Sequence, residues 1–247
     1  MPGYRGRFSN LIFDKMNWNS DIIKSLTWSE NIINREGKEK VADEIAKKVK
    51  SGDVLGIGSG STSYLALLAI AKRVKAENLQ IKAIPTSIEI SLTCSELGIP
   101  VTTLYENKPD WLFDGADEVD PDNRLIKGRG GAMFKEKLMI RSSPVNYILV
   151  DDSKLVKKLG SKFPVPIEVF PQALLEVESK LKQMGATELN LRPAKGKDGP
   201  VITENGNLIL DARFGEIGDD LEHRIKSITG VIESGLFIGH NIEILVA

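Results

Sequence analysis

The stretch "DVLGIGSGSTSYLALLAIAKRVKAEN", residues 53–78, places a strand, a glycine turn and a helix directly after one another. The apolar "DVLGIG" predicts a buried strand, "SGST" predicts a loop, and the remainder predicts a helix. Just before it, "GKEKVADEIAKKVKSG" has Val41, Ile45 and Val49 at helical spacing, and Gly52 follows as a stop signal. A helix, a strand and a second helix are therefore predicted around this turn.

The same alternation continues along the chain. The predicted elements are a strand at Ile81–Ile84, a helix at Ser87–Leu97, a strand at Val101–Leu104, a short strand in "WLFDGAD" (111–117), a helix in "GAMFKEKLMIRS" (131–142) and a strand in "NYILVDD" (146–152). Alternating strands and helices favour a parallel sheet covered by helices on both faces. The first half of the chain is therefore predicted to be of the α/β class.

The pattern changes at "KFPVPIEVFP", residues 162–171, whose three prolines indicate a domain boundary. The elements predicted beyond it are a helix in "QALLEVESKLKQMG", strands in "TELNLR", "PVITEN" and "NLILDAR", a helix around "DDLEHRIKSI" and terminal strands in "GVIESGLFIGHNIEILVA". Since Asn and Gly accept positive φ, "ENGN" predicts a hairpin turn between the last two internal strands. This part is predicted to mix helices with antiparallel strands.

Charge and apolar composition exclude several classes of partner. The 247 residues carry a formal net charge of −1 at pH 7, so no broad field favours nucleic acid or an anionic membrane. The longest apolar run, Leu65–Ala71, is far too short to span a bilayer. The first twenty residues lack an apolar core of signal-peptide length, and the single cysteine, Cys94, rules out an internal disulfide. We therefore expect a cytoplasmic protein.

Histidine and cysteine are too scarce for most metal or nucleophile sites. The two histidines, His223 and His240, lie late in the chain, and Cys94 has no histidine near it in sequence. No zinc-type spacing is present, and a Ser-His-Asp arrangement has few candidates. We expect carboxylates and lysines to do any chemistry, with no metal and no organic cofactor.

The first glycine loop, "GIGSGSTS" (56–63), has the features of an anion site. Glycines allow close backbone approach, and the N–H groups and dipole at a helix start favour negative charge. It is neither a dinucleotide fingerprint, since the third glycine position is Ser61, nor a P-loop, since the lysine is missing. Two interpretations remain open: a site for a single phosphate, or a tight turn with Ser or Thr as the helix N-cap.

The second glycine loop, "KGRGG" (127–131), also leads into a helix. A lysine or N–H group there could stabilise an anion such as an enediolate, although Lys127 alone could equally be a surface lysine. Glu136 has apolar residues three and four positions away on either side, and desolvation would raise its pKa toward that of a general base. Lys135 has similar neighbours, so the pattern does not decide which of the two is buried.

Acidic residues crowd the segment before this loop. Asp114 and Asp117 follow a predicted parallel strand, at the edge where open α/β sheets bind ligands. Asp120 and Asp122 flank Pro121 and are predicted to lie in a solvated turn. Calcium is excluded because the spacing of an EF-hand loop is absent.

Six blocks, in order, resemble the type A ribose-5-phosphate isomerase family. They are "GIGSGSTS", "IPTS", "DGADEVDPDNRLIKGRGGAMFKEKL", "DDSKLVKKLGSKFPVPIEV", "GPVITENGNLILD" and "GLF". The resemblance runs from about Gly37 nearly to the C-terminus. It implies a Rossmann-like parallel sheet flanked by helices, with a smaller inserted α+β domain. The implied division is an N-terminal extension over 1–35, a catalytic domain over 36–160 and 231–247, and a smaller domain over 161–230.

The resemblance implies interconversion of ribose 5-phosphate and ribulose 5-phosphate without metal or organic cofactor. Glu136 matches the family's proton-transferring base, Asp114 and Asp117 match the aspartates of "DGAD" that contact sugar hydroxyls, and Lys127 matches the lysine near the developing charge. The residues expected to bind substrate are Ser59, Gly60, Ser61, Thr62, Asp114, Gly115, Ala116, Asp117, Lys127, Gly128, Arg129, Gly130 and Lys154. We expect a homodimer or homotetramer that binds neither nucleic acid nor membrane.

Two substitutions depart from the family's usual blocks. Ser59 replaces a commoner threonine and keeps the hydroxyl, whereas Arg129 replaces a glycine and would be strained if its φ were positive. A non-catalytic sugar-phosphate sensor is the alternative function, but a sensor could discard Glu136, which is retained here. A deaminase or lactonase of related fold is a third possibility, and none of their motifs is recognisable.

Overall fold

The computed structural model describes residue 22 and residues 32–247. The helices of this part of the chain are α1 (Arg35–Lys48), α2 (Gly60–Glu77), α3 (Ile88–Glu96), α4 (Met133–Ser142), α5 (Leu174–Gln183) and α6 (Leu221–Lys226). The strands are β1 (Val54–Ile57), β2 (Lys82–Pro85), β3 (Trp111–Gly115), β4 (Glu118–Val119), β5 (Leu125–Ile126), β6 (Asn146–Val150), β7 (Val165–Val169), β8 (Ala186–Leu191), β9 (Leu208–Phe214), β10 (Val231–Ser234), β11 (Leu236–Phe237) and β12 (Glu243–Val246). The extension predicted over 1–35 lies almost entirely outside the described residues.

The first sheet is a five-stranded parallel sheet in the order β12-β6-β3-β1-β2. One apolar core packs α1 and α2 against it through buried residues such as Ile45 and Leu67. A second core includes Met139 and Ile140 of α4 together with Leu112 and Ile148 of the sheet. Helices therefore cover the parallel sheet on both faces, which confirms the predicted fold class.

Three neighbouring strands of this sheet end in the segments that the sequence analysis selected. β1 ends at Ile57, directly before the first glycine loop; β3 ends at Gly115, within "DGAD"; and β6 ends at Val150, directly before "DDSK". Because the carboxyl ends of parallel strands meet at one edge of a sheet, the three segments converge there. The topology thus determines where the site lies.

A second, antiparallel sheet has the order β10-β7-β9-β8, and its core is filled from α5 and α6 by residues such as Val177, Leu181 and Ile225. A small third sheet has the order β11-β5-β4. β10 pairs with β7 in the second sheet although its residues, 231–234, were assigned to the first domain. The exact domain division stays a prediction.

Two predicted strands are wrong. Residues 101–104 form only an isolated bridge, Val101 with Ala83, because the chain turns after Thr102: the carbonyl of Thr103 accepts the N–H groups of Glu106 and Asn107. Residues 200–205, "PVITEN", also fail to form a strand, although the predicted turn exists: Gly206 donates to the carbonyl of Thr203.

Side chains of residues 200–205 explain why this segment leaves the sheet. Thr203 and Asn205 donate to the buried carboxylate of Glu168, and Glu204 accepts the N–H of Ile88 at the start of α3. The segment is thereby bound to the first sheet's helix layer instead of pairing with β9.

None of the helices in the described part of the chain is long and apolar enough to cross a membrane.

Candidate active site

A cavity of about 760 Å³ opens at the carboxyl edge of the parallel sheet. The residues that line it are Ile32, Ile33, Lys38, Ser59, Gly60, Ser61, Thr62, Gly115, Ala116, Asp117, Lys127, Gly128, Arg129, Gly130, Glu136, Asp151, Ser153, Lys154, Lys162 and Phe163. Every site residue predicted from the sequence is in this set except Asp114, whose side chain is fully buried. The fold therefore brings the predicted residues together, while their individual roles stay predictions.

The first glycine loop runs from the end of β1 into α2. Gly58 has no room for a side chain, because a Cβ there would lie 2.0 Å from the carboxyl group of Asp114. Gly60, the first residue of α2, has a φ of +85°, which favours glycine. The loop is therefore glycine-rich both to pass over the Asp114 carboxylate and to turn into the helix.

The hydroxyl of Ser59 does not cap α2. It hydrogen-bonds instead with the hydroxyl of Thr86, 2.8 Å away. The N-cap hydrogen bond expected for a simple capped turn is therefore missing at Ser59. The first N–H groups of this 18-residue helix face a cavity lined by Gly60, Ser61 and Thr62. This arrangement is a suitable binding site for one phosphate group.

Lys38 of α1 lies beside this loop and was missed from the sequence. Its Nζ donates to Ser61 Oγ over 3.0 Å, and the side chain is buried. Burial, followed by the nearby charge of Lys154, lowers its pKa from the usual value. The α1 pattern contains several lysines at helical positions, and nothing in the spacing distinguishes the one that faces the cavity.

A buried group of three charges lies at the other end of the cavity. Lys127 Nζ is 2.9 Å from Asp114 Oδ2 and 3.4 Å from Glu136 Oε2, and all three side chains are at least 94% buried. Lys127 also donates to the carbonyl oxygen of Gly115, and Asp114 Oδ1 accepts the N–H of Gly115 over 2.7 Å. Two carboxyl groups therefore share one ammonium group out of contact with solvent.

This sharing determines the protonation of the group. Burial, and next the neighbouring Asp114, raise the pKa of Glu136 to about 8, although Lys127 acts in the opposite direction. Burial likewise raises the pKa of Asp114. Burial alone would lower the pKa of Lys127, but Asp114 and Glu136 outweigh it and raise that pKa above its usual value. Lys127 stays charged, and Glu136 is suited to accept and return a proton near neutral pH.

Asp117 lies at the mouth of this group. Burial raises the pKa of its carboxyl, and its Oδ2 accepts the backbone N–H of Arg129 over 3.2 Å. It lines the cavity, as do its neighbours Gly115 and Ala116. Asp117 is therefore placed to contact a ligand that fills the space between the two glycine loops.

The structure resolves the choice between Lys135 and Glu136. Glu136 is buried, whereas Lys135 is 38% exposed and pairs with Glu204 over 2.5 Å on the other side of the helix. Because α4 begins at Met133, Glu136 lies in its first turn. The contact that turns Lys135 away comes from a segment almost seventy residues later.

Two other acidic residues before the second glycine loop, Glu118 and Asp120, have structural roles. Asp120 is buried, so its prediction as part of a solvated turn is wrong: its carboxylate accepts the N–H groups of Asp122 and Arg124 and pairs with the Arg124 side chain. Asp122 is exposed as predicted. Glu118 is also buried.

Glu118 holds one wall of the cavity. Its carboxylate accepts the backbone N–H groups of Gly160, Lys162 and Phe163 over 2.6–2.7 Å. The ring of Phe163 in turn stacks with the guanidinium group of Arg129 at 4.3 Å. The acidic cluster is therefore partly explained by the hydrogen bonds it makes to backbone N–H groups.

The "GLF" block supports the charged group from the opposite side. Gly235 has no room for a side chain, since a Cβ there would lie 2.2 Å from the carbonyl oxygen of Lys127. The Phe237 ring lies 5.6 Å from Lys127 Nζ and 4.7 Å from Lys137 Nζ.

Within the described residues, no three His, Cys, Asp or Glu side chains form a group that could hold a metal ion.

Comparison with known proteins gives a consistent result. Residues 82–247 match the sequence model of ribose 5-phosphate isomerase A (phosphoriboisomerase A). The chain is 45% identical over 204 residues to ribose-5-phosphate isomerase A of Methanothermobacter thermautotrophicus, covering 82% of this chain and 89% of the relative. The chain belongs to the ribose 5-phosphate isomerase A family.

Solved structures of the family share the fold. The structure of ribose 5-phosphate isomerase A from Methanocaldococcus jannaschii has a TM-score of 0.83 and 42% identity, covering 87% of this chain and 95% of that one. A D-ribose-5-phosphate isomerase in complex with phospho-erythronic acid has a TM-score of 0.83 and 38% identity, covering 87% and 96%. The family resemblance drawn from the six sequence blocks is confirmed.

The two departures from the family blocks have simple structural consequences. Ser59 keeps a hydroxyl group at its position and uses it to contact Thr86. Arg129 does not have a positive φ, so it carries no backbone strain, and its side chain is exposed at the cavity rim. In the same loop Gly128 and Gly131 have φ values of +96° and +82° and need to be glycine.

Proposed function

We propose that this chain interconverts D-ribose 5-phosphate and D-ribulose 5-phosphate, with Glu136 as the base that moves the proton between C2 and C1. The observation that carries the proposal is the pairing, in one cavity, of a phosphate-type helix N-terminus with a buried carboxyl whose pKa is raised to about 8. The chain's membership of an aldose–ketose isomerase family supports the same reaction.

The substrate's phosphate binds at the start of α2. The N–H groups of the helix, the hydroxyls of Ser61 and Thr62, and the ammonium groups of Lys38 and Lys154 all border this end of the cavity. These groups are present equally for aldose and ketose, so they supply affinity without favouring the transition state. The phosphate end orients the sugar so that its first carbons reach the buried charges.

Chemistry takes place at the other end. Asp114 or Asp117 assists ring opening by exchanging protons with the sugar hydroxyls. Ionised Glu136 then removes the C2 proton, and the electron pair moves onto the C1 carbonyl oxygen to give an enediolate. Lys127 and the N–H groups of the glycine loop stabilise that oxyanion. Return of the proton from Glu136 to C1, with transfer of the O2 proton to the C1 oxygen, completes the ketose.

The alternative of a non-catalytic sugar-phosphate sensor has no observation in its favour. A sensor would need the phosphate loop, but it would gain nothing from two carboxyl groups buried around one lysine. Burying such groups costs free energy, which a chain would retain only if the charges do something that a neutral pocket could not. The buried group therefore favours an enzyme.

The test is the Glu136→Gln variant, assayed for ketose formation from ribose 5-phosphate. Glutamine keeps the size of the side chain and removes its ability to accept a proton, so kcat should fall by about two to four orders of magnitude. KM should change little, because the phosphate end is untouched. Glu96→Gln, an exposed change at the end of α3, is the matched control and should retain full activity. Near-wild-type turnover of Glu136→Gln would remove Glu136 from the mechanism.

We also propose that the enzyme works in the cytoplasm as a homodimer or homotetramer. The described part of the chain exposes large apolar side chains, including Tyr105 and Leu175, which are 101% and 76% exposed. Such side chains are candidates for burial between subunits. Sedimentation equilibrium should give two or four times the chain mass of 27.2 kDa, and a monomer at all concentrations would contradict the proposal.

A further inference from the structure

We propose that Arg192 is a positioning residue that holds the second glycine loop so that its N–H groups face the reacting end of the substrate. Arg192 directly follows β8 of the second sheet, so it comes from outside the parallel sheet that supplies the other site residues. It does not line the cavity. The inference rests on the proposed isomerase function and deepens it.

The guanidinium group connects two parts of the structure. Its Nη1 donates to the carbonyl oxygens of Gly128 and Arg129 over 3.2 and 2.8 Å. Its other edge forms a bidentate ion pair with Asp211 of β9, in which Nε donates to Oδ2 over 2.8 Å. The planar group is therefore fixed on one side by a carboxylate and on the other side fixes two consecutive peptide carbonyls.

The backbone of Arg192 is also held in place. Its N–H donates to the carbonyl of Ile209 over 2.9 Å, and its own carbonyl accepts the N–H of Val201 over 2.8 Å. Arg192 thus extends the β8–β9 pairing by one residue and has little freedom to move. A side chain that starts from a fixed backbone and ends on a fixed carboxylate loses little entropy when it binds the loop.

Because peptides are planar, the contacts of Arg192 also determine which N–H groups of the loop face the cavity. In a trans peptide the C=O and N–H groups point in opposite directions. The carbonyl of Gly128 points to Arg192, and the N–H of the same peptide, that of Arg129, donates to the cavity-lining Asp117 over 3.2 Å. The carbonyl of Arg129 also points to Arg192, so the N–H of Gly130 faces the cavity side as well.

The N–H of Gly130 is the group that this arrangement makes available. Within the described residues it donates to no acceptor, and Gly130 lines the cavity. The neighbouring N–H of Arg129 is already occupied by Asp117, so the N–H of Gly130 is the donor that remains for a ligand anion. Without Arg192, the peptide between Arg129 and Gly130 could rotate, since Gly130 and Gly131 lack side chains to prevent it.

The inference predicts a specific kinetic signature for Arg192→Ala. Since a small misplacement of a group that stabilises the transition state can cost about a hundredfold, kcat should fall by about ten- to a hundredfold. The inhibition constant of inorganic phosphate should stay within about twofold of wild type, because the phosphate end has no contact with Arg192. A purely structural defect would weaken both.

Two further measurements separate positioning from folding. Millimolar guanidinium ion should restore part of the lost kcat of Arg192→Ala by occupying the vacated position, and it should not affect wild type. Arg192→Lys should show an intermediate loss, since one ammonium group cannot hold Asp211 and two carbonyls together. Arg213→Ala, which removes an arginine from the same sheet and its bond to the Gly160 carbonyl, is the matched control and should keep kcat.

The expected pattern is a fall in kcat, unchanged phosphate inhibition, and partial rescue in Arg192→Ala, with wild type active. A folded Arg192→Ala with wild-type kcat, or equal losses of kcat and phosphate binding, would overturn the inference. If Arg192→Ala fails to fold, Arg192→Lys and Asp211→Asn replace it, and wild-type kcat in both would overturn it. An inactive wild type would instead contradict the proposed function.

Discussion

The two glycine loops face the same cavity, yet the structure builds them differently. The first loop (58–62) ends in hydroxyl groups and helix N–H groups, with Lys38 beside it. The second (127–131) encloses a lysine shared by two buried carboxyl groups and is held from behind by Arg192. The first loop offers helix N–H groups and a lysine to bind a phosphate. The second loop buries its charged side chains, and in a buried group a small change in geometry alters which carboxyl group holds a proton.

Burial is what distinguishes binding from chemistry here. At the first loop, Lys38 and Lys154 can contribute affinity for a phosphate group. At the second loop, Asp114 and Glu136 outweigh the effect of burial and raise the pKa of Lys127, and Lys127 in turn opposes the rise that burial causes in the pKa of Glu136.

The largest effect is expected where the first loop passes over the Asp114 carboxylate. Gly58→Ala places a methyl group 2.0 Å from the Asp114 carboxyl, which must move and disturb its pairing with Lys127. We expect kcat/KM to fall by more than about a hundredfold and the free energy of unfolding to fall by about 1–3 kcal/mol. Gly215→Ala, which has open space and no positive φ, is the control and should have neither effect. Normal activity of Gly58→Ala would show that the close approach of the first loop to Asp114 is dispensable.

The pH dependence tests the second loop by itself. Because the base must be ionised and its pKa is raised to about 8, kcat/KM should rise about tenfold per pH unit below that value and level off above it. A profile that levels off near pH 5 would contradict the raised pKa.

The same shift affects stability, with a defined sign. A carboxyl whose folded pKa exceeds its unfolded value of 4.5 favours folding only while it is protonated, so its contribution is lost as pH rises from 4.5 through about 8. Glu136→Gln removes that dependence. Its melting temperature relative to wild type should therefore increase over this range, and differential scanning fluorimetry at several pH values measures it.

Lysines at the first loop should affect binding more than turnover. Lys38→Ala and Lys154→Ala should each raise KM by about tenfold, the usual worth of one charge-assisted hydrogen bond, with kcat little changed. Steady-state kinetics with ribose 5-phosphate measures both constants. Lys40→Ala, an exposed lysine of the same helix as Lys38, is the control. A large fall in kcat at unchanged KM would place these lysines in the chemistry instead.

The smallest effect is expected from Arg129→Gly, which restores the family's usual residue. Arg129 has an unstrained backbone and an exposed side chain whose contact is the ring of Phe163. Exposed substitutions of this kind change little, so kcat/KM should stay within about threefold of wild type. A tenfold change in either direction would show that the guanidinium group acts on the substrate.

The sequence predicted the layers of the fold well because local patterns decide them. Apolar runs of strand length, glycine stops and helical spacing are enough to order β1, α2, β2 and α3. Residues 101–104 and 200–205 were predicted wrongly because long-range or side-chain contacts decide them. Glu204, for example, binds the start of α3, more than a hundred residues earlier, and no local pattern contains that information.

The candidate site divides in the same way. The site residues in the six family-like blocks could be predicted from their chemistry and from the family resemblance, and the fold brings them to one cavity. Lys38 was missed because its helix offers several equivalent lysines. Arg192 was missed because it acts through backbone carbonyls, for which a sequence has no signal. Burial of Glu136 rather than Lys135 likewise depended on a distant partner.

The central claim is that Glu136 carries the C2 proton, and isotope release measures this directly. Ribose 5-phosphate labelled with deuterium at C2 is incubated with wild type and with Glu136→Gln, and the release of deuterium to solvent is followed alongside ketose formation. Both rates should fall together in the variant, by about two to four orders of magnitude. Deuterium release at the wild-type rate from folded Glu136→Gln would contradict it, and would assign proton removal to Asp114 or Asp117.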